Sequence, residues 1–224
     1  MATKRAYHHG NLREALIAAA LKEVARSGPE AFSLRSVARR AGVSPPAVYR
    51  HFADKDALLA AVAVDCSERI SAAMRDAVAN APDDPLERFR ATGIAYVQFA
   101  VEHPEHFRAM SSPGLAAHTP QLQRLRFEAR DREERESLVR AQQAGKIAAV
   151  PIEELMLAAS SIVHGLAQLI VEGRLGDVDV AAARRFALSV TAVLGAGLTP
   201  RAEAYDDPRG VLTLPATRKK RGTS

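Results

Sequence analysis

An all-α protein is what the sequence predicts, with an N-terminal three-helix helix-turn-helix domain ahead of a larger helical domain. Three observations predict it. Apolar residues recur every three to four positions along most of the chain, as on one face of an α-helix. Alternating apolar and polar runs, the mark of a half-buried strand, are missing, and β-branched residues are sparse. Between residues 11 and 60 a close series of helix start and stop signals marks out several short helices.

A first helix is expected from Asn11, because Asn11 and Glu14 have the spacing of a capping box. Leu12, Leu16, Ala20 and Val24, with Ile17 and Leu21 beside them, form its buried stripe. Ser27-Gly28-Pro29 stops it. A second helix starts at Ser33, with Phe32 and Val37 placed as a hydrophobic staple, and ends at Gly42, which suits a left-handed C-cap. Ser44 caps a third helix of roughly eight residues, in which Pro45 and Pro46 occupy the first turn, where backbone donors have no intrahelical partner. Val43 and Val48 are placed as its staple. Asp54 caps a long fourth helix whose Leu58, Leu59, Val62, Cys66, Ile70 and Met74 face one way. Pro85 reopens helix after the Asn80–Pro85 break, and further helices are predicted over 85–102, 104–111, 120–144, 152–173 and 180–196. The domains are accordingly 1–55, the unit of short helices, and 56–197, the larger helical unit. Residues 198–224 carry Pro, Gly and charge without periodicity and read as a disordered tail.

Charge separates along the same line. The net charge of the 224 residues is +5, but residues 1–55 hold 10 Lys/Arg against 4 Asp/Glu, which leaves −1 for the rest. Arg218-Lys219-Lys220-Arg221 supplies +4 of that rest, so residues 56–217 sum to −5. A basic head on an acidic body suits a polyanionic partner at the head. Cys66 is the sole cysteine, so no intrachain disulfide forms, and with no secretory leader or 18-residue apolar run a cytoplasmic address is expected.

In a helix-turn-helix the last helix enters the major groove and the one before it lies across the backbone. Val37, Ala38, Val43, Val48 and Phe52 make the small core, which leaves Ser44, Pro45, Pro46, Tyr49 and Arg50 on the outside. Ser33 and Arg35 start the helix that crosses the backbone. Tyr49 and His51 each bring a donor for phosphate and a flat face for sugar. Arg50 can read a guanine edge through two hydrogen bonds, worth about 1–3 kcal/mol of discrimination. Lys55 sits in the first turn of the fourth helix, where its ammonium and the free N–H groups can hold one phosphate together. Of Arg35, Arg39 and Arg40, only some can face one surface on so short a helix. Lys4 and Arg5 are read as either an arm in a groove or an inert end, and Arg218 to Arg221 as a solvated tail.

The runs Phe32-Ser33-Leu34-Arg35-Ser36-Val37-Ala38, Ala41-Gly42-Val43-Ser44, Val48-Tyr49-Arg50-His51-Phe52 and Lys55-Asp56-Ala57-Leu58 closely resemble the TetR family of bacterial transcriptional regulators. The resemblance covers about residues 11–60 and implies phosphate-binding roles for Tyr49, His51 and Lys55. Tyr7-His8-His9-Gly10-Asn11-Leu12-Arg13 and Val163-His164-Gly165 resemble a subgroup with a Trp-His-Gly signature in the C-terminal domain, although this chain has no tryptophan. Pro46 departs from the usual recognition helix and leaves one fewer side chain to read bases.

For the rest of the chain the resemblance implies an all-α domain that pairs with a second copy through its last two long helices and encloses a small-molecule effector. The residues over 152–173 give two apolar stripes, one of Leu155, Ala159, Ile162, Leu166 and Leu169, the other of Met156, Ser160, Val163, Ala167 and Ile170. One can face its own domain and the other a homodimer partner, with Phe186, Val190 and Val193 completing the contact. Cys66, Met74, Phe89, Tyr96, Phe99, Phe107, Met110 and His164 are the larger or polarisable groups available to line an effector pocket, for which a hydrophobic or aromatic ligand is expected.

His103-Pro104-Glu105-His106 has a metal-like look, but no third ligand stands at a matching spacing and Pro104 suits a helix start. No cofactor is called for, and no motif marks a nucleophile beside a base. The function expected is a ligand-responsive, dimeric, DNA-binding repressor that leaves a palindromic operator when its effector binds. An enzyme of apolar substrates using His164, or His103 and His106, and a purely architectural helical module are the alternatives from other classes.

Overall fold

The computed structural model describes residues 9–197, and within them the side chains other than those of residues 9–11, 113, 116, 121–131 and 197. Among the described residues every regular element is a helix: α1 His9–Ala31, α2 Leu34–Arg40, α3 Pro45–Tyr49, α4 Lys55–Ala79, α5 Pro85–Glu102, α6 Pro104–Met110, α7 Pro113–Ala117, α8 Gln121–Gln143, α9 Ile152–Val171 and α10 Val180–Gly197.

Each boundary has a local cause. α1 begins at His9, so Asn11 falls in the first turn and not at the cap, and the Asn11–Glu14 box is not where the helix starts. Its regular course breaks at Gly28, whose φ of 78° and ψ of 164° are costly for any residue with a Cβ. Ser33 caps α2 by accepting from the Ser36 N–H at 3.2 Å, and the Ser36 hydroxyl accepts from the Ser33 N–H at 3.1 Å. This reciprocal pair satisfies two orphan donors, with serine where glutamate is more usual. At the far end Gly42 (φ 70°) donates to the Arg39 carbonyl and Val43 to that of Ala38, a Schellman closure. α3 follows with both prolines in its first turn, but it spans five residues, shorter than the sequence suggested. The Ser44 side chain makes no capping bond; the fixed φ of the prolines organises the start instead. Asp54 caps α4 through the Ala57 N–H at 2.8 Å, and Asp84 caps α5 through the N–H groups of Leu86 and Glu87.

Packing produces a head and a body that share material. Leu16, Leu21, Val24, Val37, Val48 and Phe52 form the head core with Leu58, Leu59, Val62 and Cys66 of α4. Ala109 of α6 and Leu115 of α7 also belong to that core, so it does not stop at residue 55. α7, which the periodicity did not reveal, lies so close to the end of α1 that a Cβ on Gly114 would sit 2.5 Å from Pro29 Cγ. In the body, α5 packs against α4, α9 and α10. Val97, Leu166, Ile170, Ala183 and Ala187 join α5 to α9 and α10, while Ile70, Met74, Ala95 and Phe99 join it to α4. On the charged α8, Arg135 reaches across to Glu153 of α9, and Arg140 lies 3.9 Å from Glu136 one turn away. Side chains of Glu128 and Asp131 lie outside the described residues, as do Lys4, Arg5 and residues 198–224.

α9 has the length and mean hydropathy, 1.5, to cross a membrane, and it is the one such helix among the described residues. Its Ile152, Leu155, Leu166 and Ile170 are buried against the rest of the body.

Candidate nucleic-acid interface and internal cavity

The head presents one polar and basic surface around α3. Val48 is fully buried and fixes that helix to Val37 and Ala38 of α2, so the opposite side must face outward. Ser33, Arg35, Ser44, Pro45, Pro46, Tyr49 and Arg50 are all exposed, Tyr49 to 55%. His51 is half-buried at the end of the same turn.

Lys55 is more constrained than the sequence indicated. Its Nζ donates to the Glu30 carbonyl at 2.9 Å and lies 5.3 Å from the Phe32 ring centroid. One of three ammonium donors is thus spent on tying α4 to the end of α1, and two remain for an anion.

Arg40 is exposed, but its guanidinium is engaged within the protein. Its Nε donates to Glu23 Oε1 at 2.6 Å, and Arg26 donates to the other carboxylate oxygen at 3.0 Å. Glu23 is buried between them and locks the end of α2 onto α1. The Arg40 hydrogen bond, helped by Arg26 and opposed by burial, holds the Glu23 carboxyl below its ordinary range. A lowered carboxyl pKa stabilises the fold fully above the unfolded value of about 4.3, and that part is lost as pH falls through the folded value. Glu23→Gln is therefore expected to cost about 1.5–3 kcal/mol near neutrality. The gap in melting temperature between wild type and variant should close as pH drops below about 4. A gap that stays constant in thermal melts across that range would show that the charge of Glu23 contributes nothing.

Between head and body, His106 Nε2 of α6 lies 3.1 Å from Asp65 Oδ2 of α4, and Arg69 binds the same carboxylate. The His106 contact is the main cause of a lowered Asp65 pKa. Burial and the neighbouring His106 push the His103 pKa down. The two histidine rings stand 5.4 Å apart, and no group of three metal-ligating side chains exists among the described residues.

The body holds a cavity of about 350 Å³ bounded by α4, α5, α8, α9 and α10. Met74, Phe89, Tyr96 and His164 line it, as the sequence had suggested; Cys66, Phe99, Phe107 and Met110 do not. Cys66 is enclosed in the head core, and burial pushes its thiol up to about 12. Phe99 packs on Ile70 and Met74, Phe107 on Ala100 and Ala167, and Met110 between the head core and the Phe99 cluster. Sequence reading missed Arg90, Thr92, Ser160, Thr191 and Leu194, which also line the cavity. They are ordinary helix-face residues, and only the packing of α5, α9 and α10 brings them together. Gly93 permits the close approach of α5 and α9, since a Cβ there would meet Val163 Cγ1 at 3.1 Å. The Tyr96 hydroxyl lies 2.8 Å from His164 Nδ1, and burial raises the Tyr96 pKa to about 12.

The outer face of α9 and α10 differs from the two stripes read in the sequence. Leu155, Ala159 and Leu166 from one and Ala167 and Ile170 from the other are all buried in the same body, with Met156 and Val163 half-buried beside them. A third row, Leu157, Ser161, Gly165 and Leu169, is exposed, and Phe186, Ser189 and Val193 of α10 are exposed as well. Val193 is 72% exposed. Large apolar side chains interspersed with small residues along two adjacent helices make a surface that suits close helix contact.

Comparison with known proteins gives two family matches. The model for bacterial regulatory proteins of the TetR family matches residues 16–62, and one for a tetracyclin-repressor-like C-terminal domain matches residues 89–193. Among solved structures, a TetR family transcription regulator from Marinobacter aquaeolei is 26% identical, with 80% of this chain and 95% of that one covered at a TM-score of 0.65. A Rhodococcus protein of unknown function is 32% identical, with coverage of 88% and 100% and a TM-score of 0.67. The regulator PfmR of Thermus thermophilus shares the fold at 22% identity, with coverage of 88% and 98% and a TM-score of 0.65. No curated protein matches the sequence.

Proposed function

This chain belongs to the TetR family of bacterial regulatory proteins and is a DNA-binding transcription regulator; from that premise we propose that it is a homodimeric repressor released from a palindromic operator by a small, largely apolar effector. The observation that carries the reading is α3: a five-residue helix anchored by the fully buried Val48, with Tyr49 and Arg50 standing clear of the protein.

In this reading α3 enters the major groove. Arg50 contacts a guanine edge, while Tyr49, His51 and Lys55 hold phosphates; Ser33 and Arg35 of α2 and Ser44, Pro45 and Pro46 line the approach to the backbone. The open row on α9 and α10 meets the same row of a second copy, which sets two α3 helices at half-sites about 34–36 Å apart. α4 connects the sites. Its Leu58, Leu59 and Val62 belong to the head core, and its Met74 is a wall of the cavity. A ligand that fits only one placement of Met74 thereby biases the placement of the head, and the coupling equals its difference in affinity for the two placements.

Fluorescence anisotropy with DNA from upstream of the chain's own gene tests the DNA part. Tyr49→Ala and Lys55→Ala should each weaken binding to every sequence, with a shallower salt dependence. Arg50→Ala should lower discrimination at one base pair by about tenfold. Unchanged affinity in all three variants would remove α3 from the interface. A ligand that raises the melting temperature without releasing DNA would retain the pocket and discard the switch.

A further inference from the structure

Resting on that effector reading, we propose that the cavity selects an uncharged apolar molecule bearing a carbonyl-type oxygen, received by the imidazole N–H of His164.

The hydroxyl of Tyr96 makes one hydrogen bond among the described residues, to His164 Nδ1 at 2.8 Å. Burial keeps that phenol protonated, since its pKa is displaced upward to about 12. A half-buried O–H needs an acceptor, and the Nδ1 lone pair is the acceptor at hand. The imidazole proton then belongs on Nε2. The arrangement is a relay: Tyr96 fixes the tautomer, and the tautomer leaves His164 with a donor to offer. The Tyr96 and Phe107 rings, centred 6.1 and 5.5 Å from the His164 ring, hold its plane.

The other polar groups of the wall do not call for a charged ligand. Arg90 is already paired, its Nη1 donating to Glu87 Oε1 at 3.1 Å, and Glu134 brings the opposite charge to the same wall. A carboxylate at Arg90 would have to compete with Glu87 and approach Glu134, and a cation faces the reverse difficulty. The hydroxyls of Thr92 and Thr191 are donated to their own helices, to the carbonyls of Phe89 and Ala187, both at 2.7 Å. Most of the remaining lining, including Met74, Phe89, Met156, Val163 and Leu194, rewards hydrocarbon, and Ser160 adds one exposed hydroxyl. The volume, about 350 Å³, falls at the small end of the range of about 300–1,000 Å³ for ligand pockets. An apolar body with one acceptor suits the His164 donor and the hydrocarbon of this wall.

The test uses the full-length protein without DNA and three skeletons: straight-chain aliphatic, monocyclic and bicyclic aromatic. Each skeleton is supplied as methyl ketone, hydrocarbon, carboxylate and amine. Thermal shift and calorimetric titration should rank the ketone first in at least one skeleton. Tyr96→Phe and His164→Phe should each cut its advantage over the hydrocarbon by about three- to tenfold while hydrocarbon binding persists. A carboxylate or amine that outranks the ketone, a ketone that never exceeds its hydrocarbon, or an absence of binding in all three skeletons overturns the proposal. DNA release is measured separately by anisotropy, so a ketone that binds without releasing DNA supports the ligand class and removes only the repressor switch.

Discussion

Val193→Asp should convert the protein to a monomer and reduce its affinity for a palindromic operator by about a hundredfold or more. Val193 is 72% exposed on α10, so a carboxylate there meets water in the isolated chain and should leave the fold intact. In the proposed dimer it meets the corresponding row of the second copy. A self-complementary contact places each change twice, so two aspartates are buried close together without a cation. Desolvating an unpaired charge costs several kcal/mol per ion, more than the rim of an interface recovers. With single heads, the second half-site adds nothing, and binding should fall toward the non-specific level. Sedimentation equilibrium reads the first effect and anisotropy on one-site and two-site DNA the second. A variant that remains dimeric would show that the exposed rows of α9 and α10 are not the contact.

Phe107→Ala should lower stability by about 3–5 kcal/mol and the melting temperature by about 6–20 °C. Phe107 is 1% exposed and lies where α6 meets α5 and α9, on Ala100 and Ala167. Those neighbours are alanines on two separate helices, so they have no side chain long enough to fill the space left behind. Its ring also meets Tyr96 edge-on, with centroids 6.0 Å apart. The same change should therefore loosen the Tyr96–His164 pair and weaken any ligand that relies on it. Urea unfolding measures the first consequence. A loss under about 1 kcal/mol would mean that α6 does not bear on the body as the packing indicates.

Most of the head was legible in advance because its signals are local. Ser33, Gly42, the two prolines and Asp54 each act on a backbone within four residues of themselves, and the apolar stripe of α4 from Leu58 to Met74 is buried throughout. What escaped depends on partners far along the chain. Lys55 is drawn to the Glu30 carbonyl, 25 residues away, and Arg40 to Glu23, 17 residues away; neither attraction leaves a mark in spacing. α7 is too short to show a period. The cavity was half legible: size and polarisability point to Met74, Phe89, Tyr96 and His164, but the same criterion admits Cys66 and Phe107, which belong to solid core. The outer row of α9 was misplaced because that helix is apolar almost all round, and hydropathy alone cannot say which of several rows stays uncovered.

Ala109 and Leu115 lie among the side chains of the reading head although they belong to helices of the body. Residues 9–80 therefore do not make up the whole of that core. Cut from the chain, they would carry an empty socket where Leu115 sat, and joined to a foreign body they would fit only if that body supplied a plug of matching shape. Recombination between relatives is thereby penalised at this seam, and the tongue of α6 and α7 has to be inherited together with the head it fills.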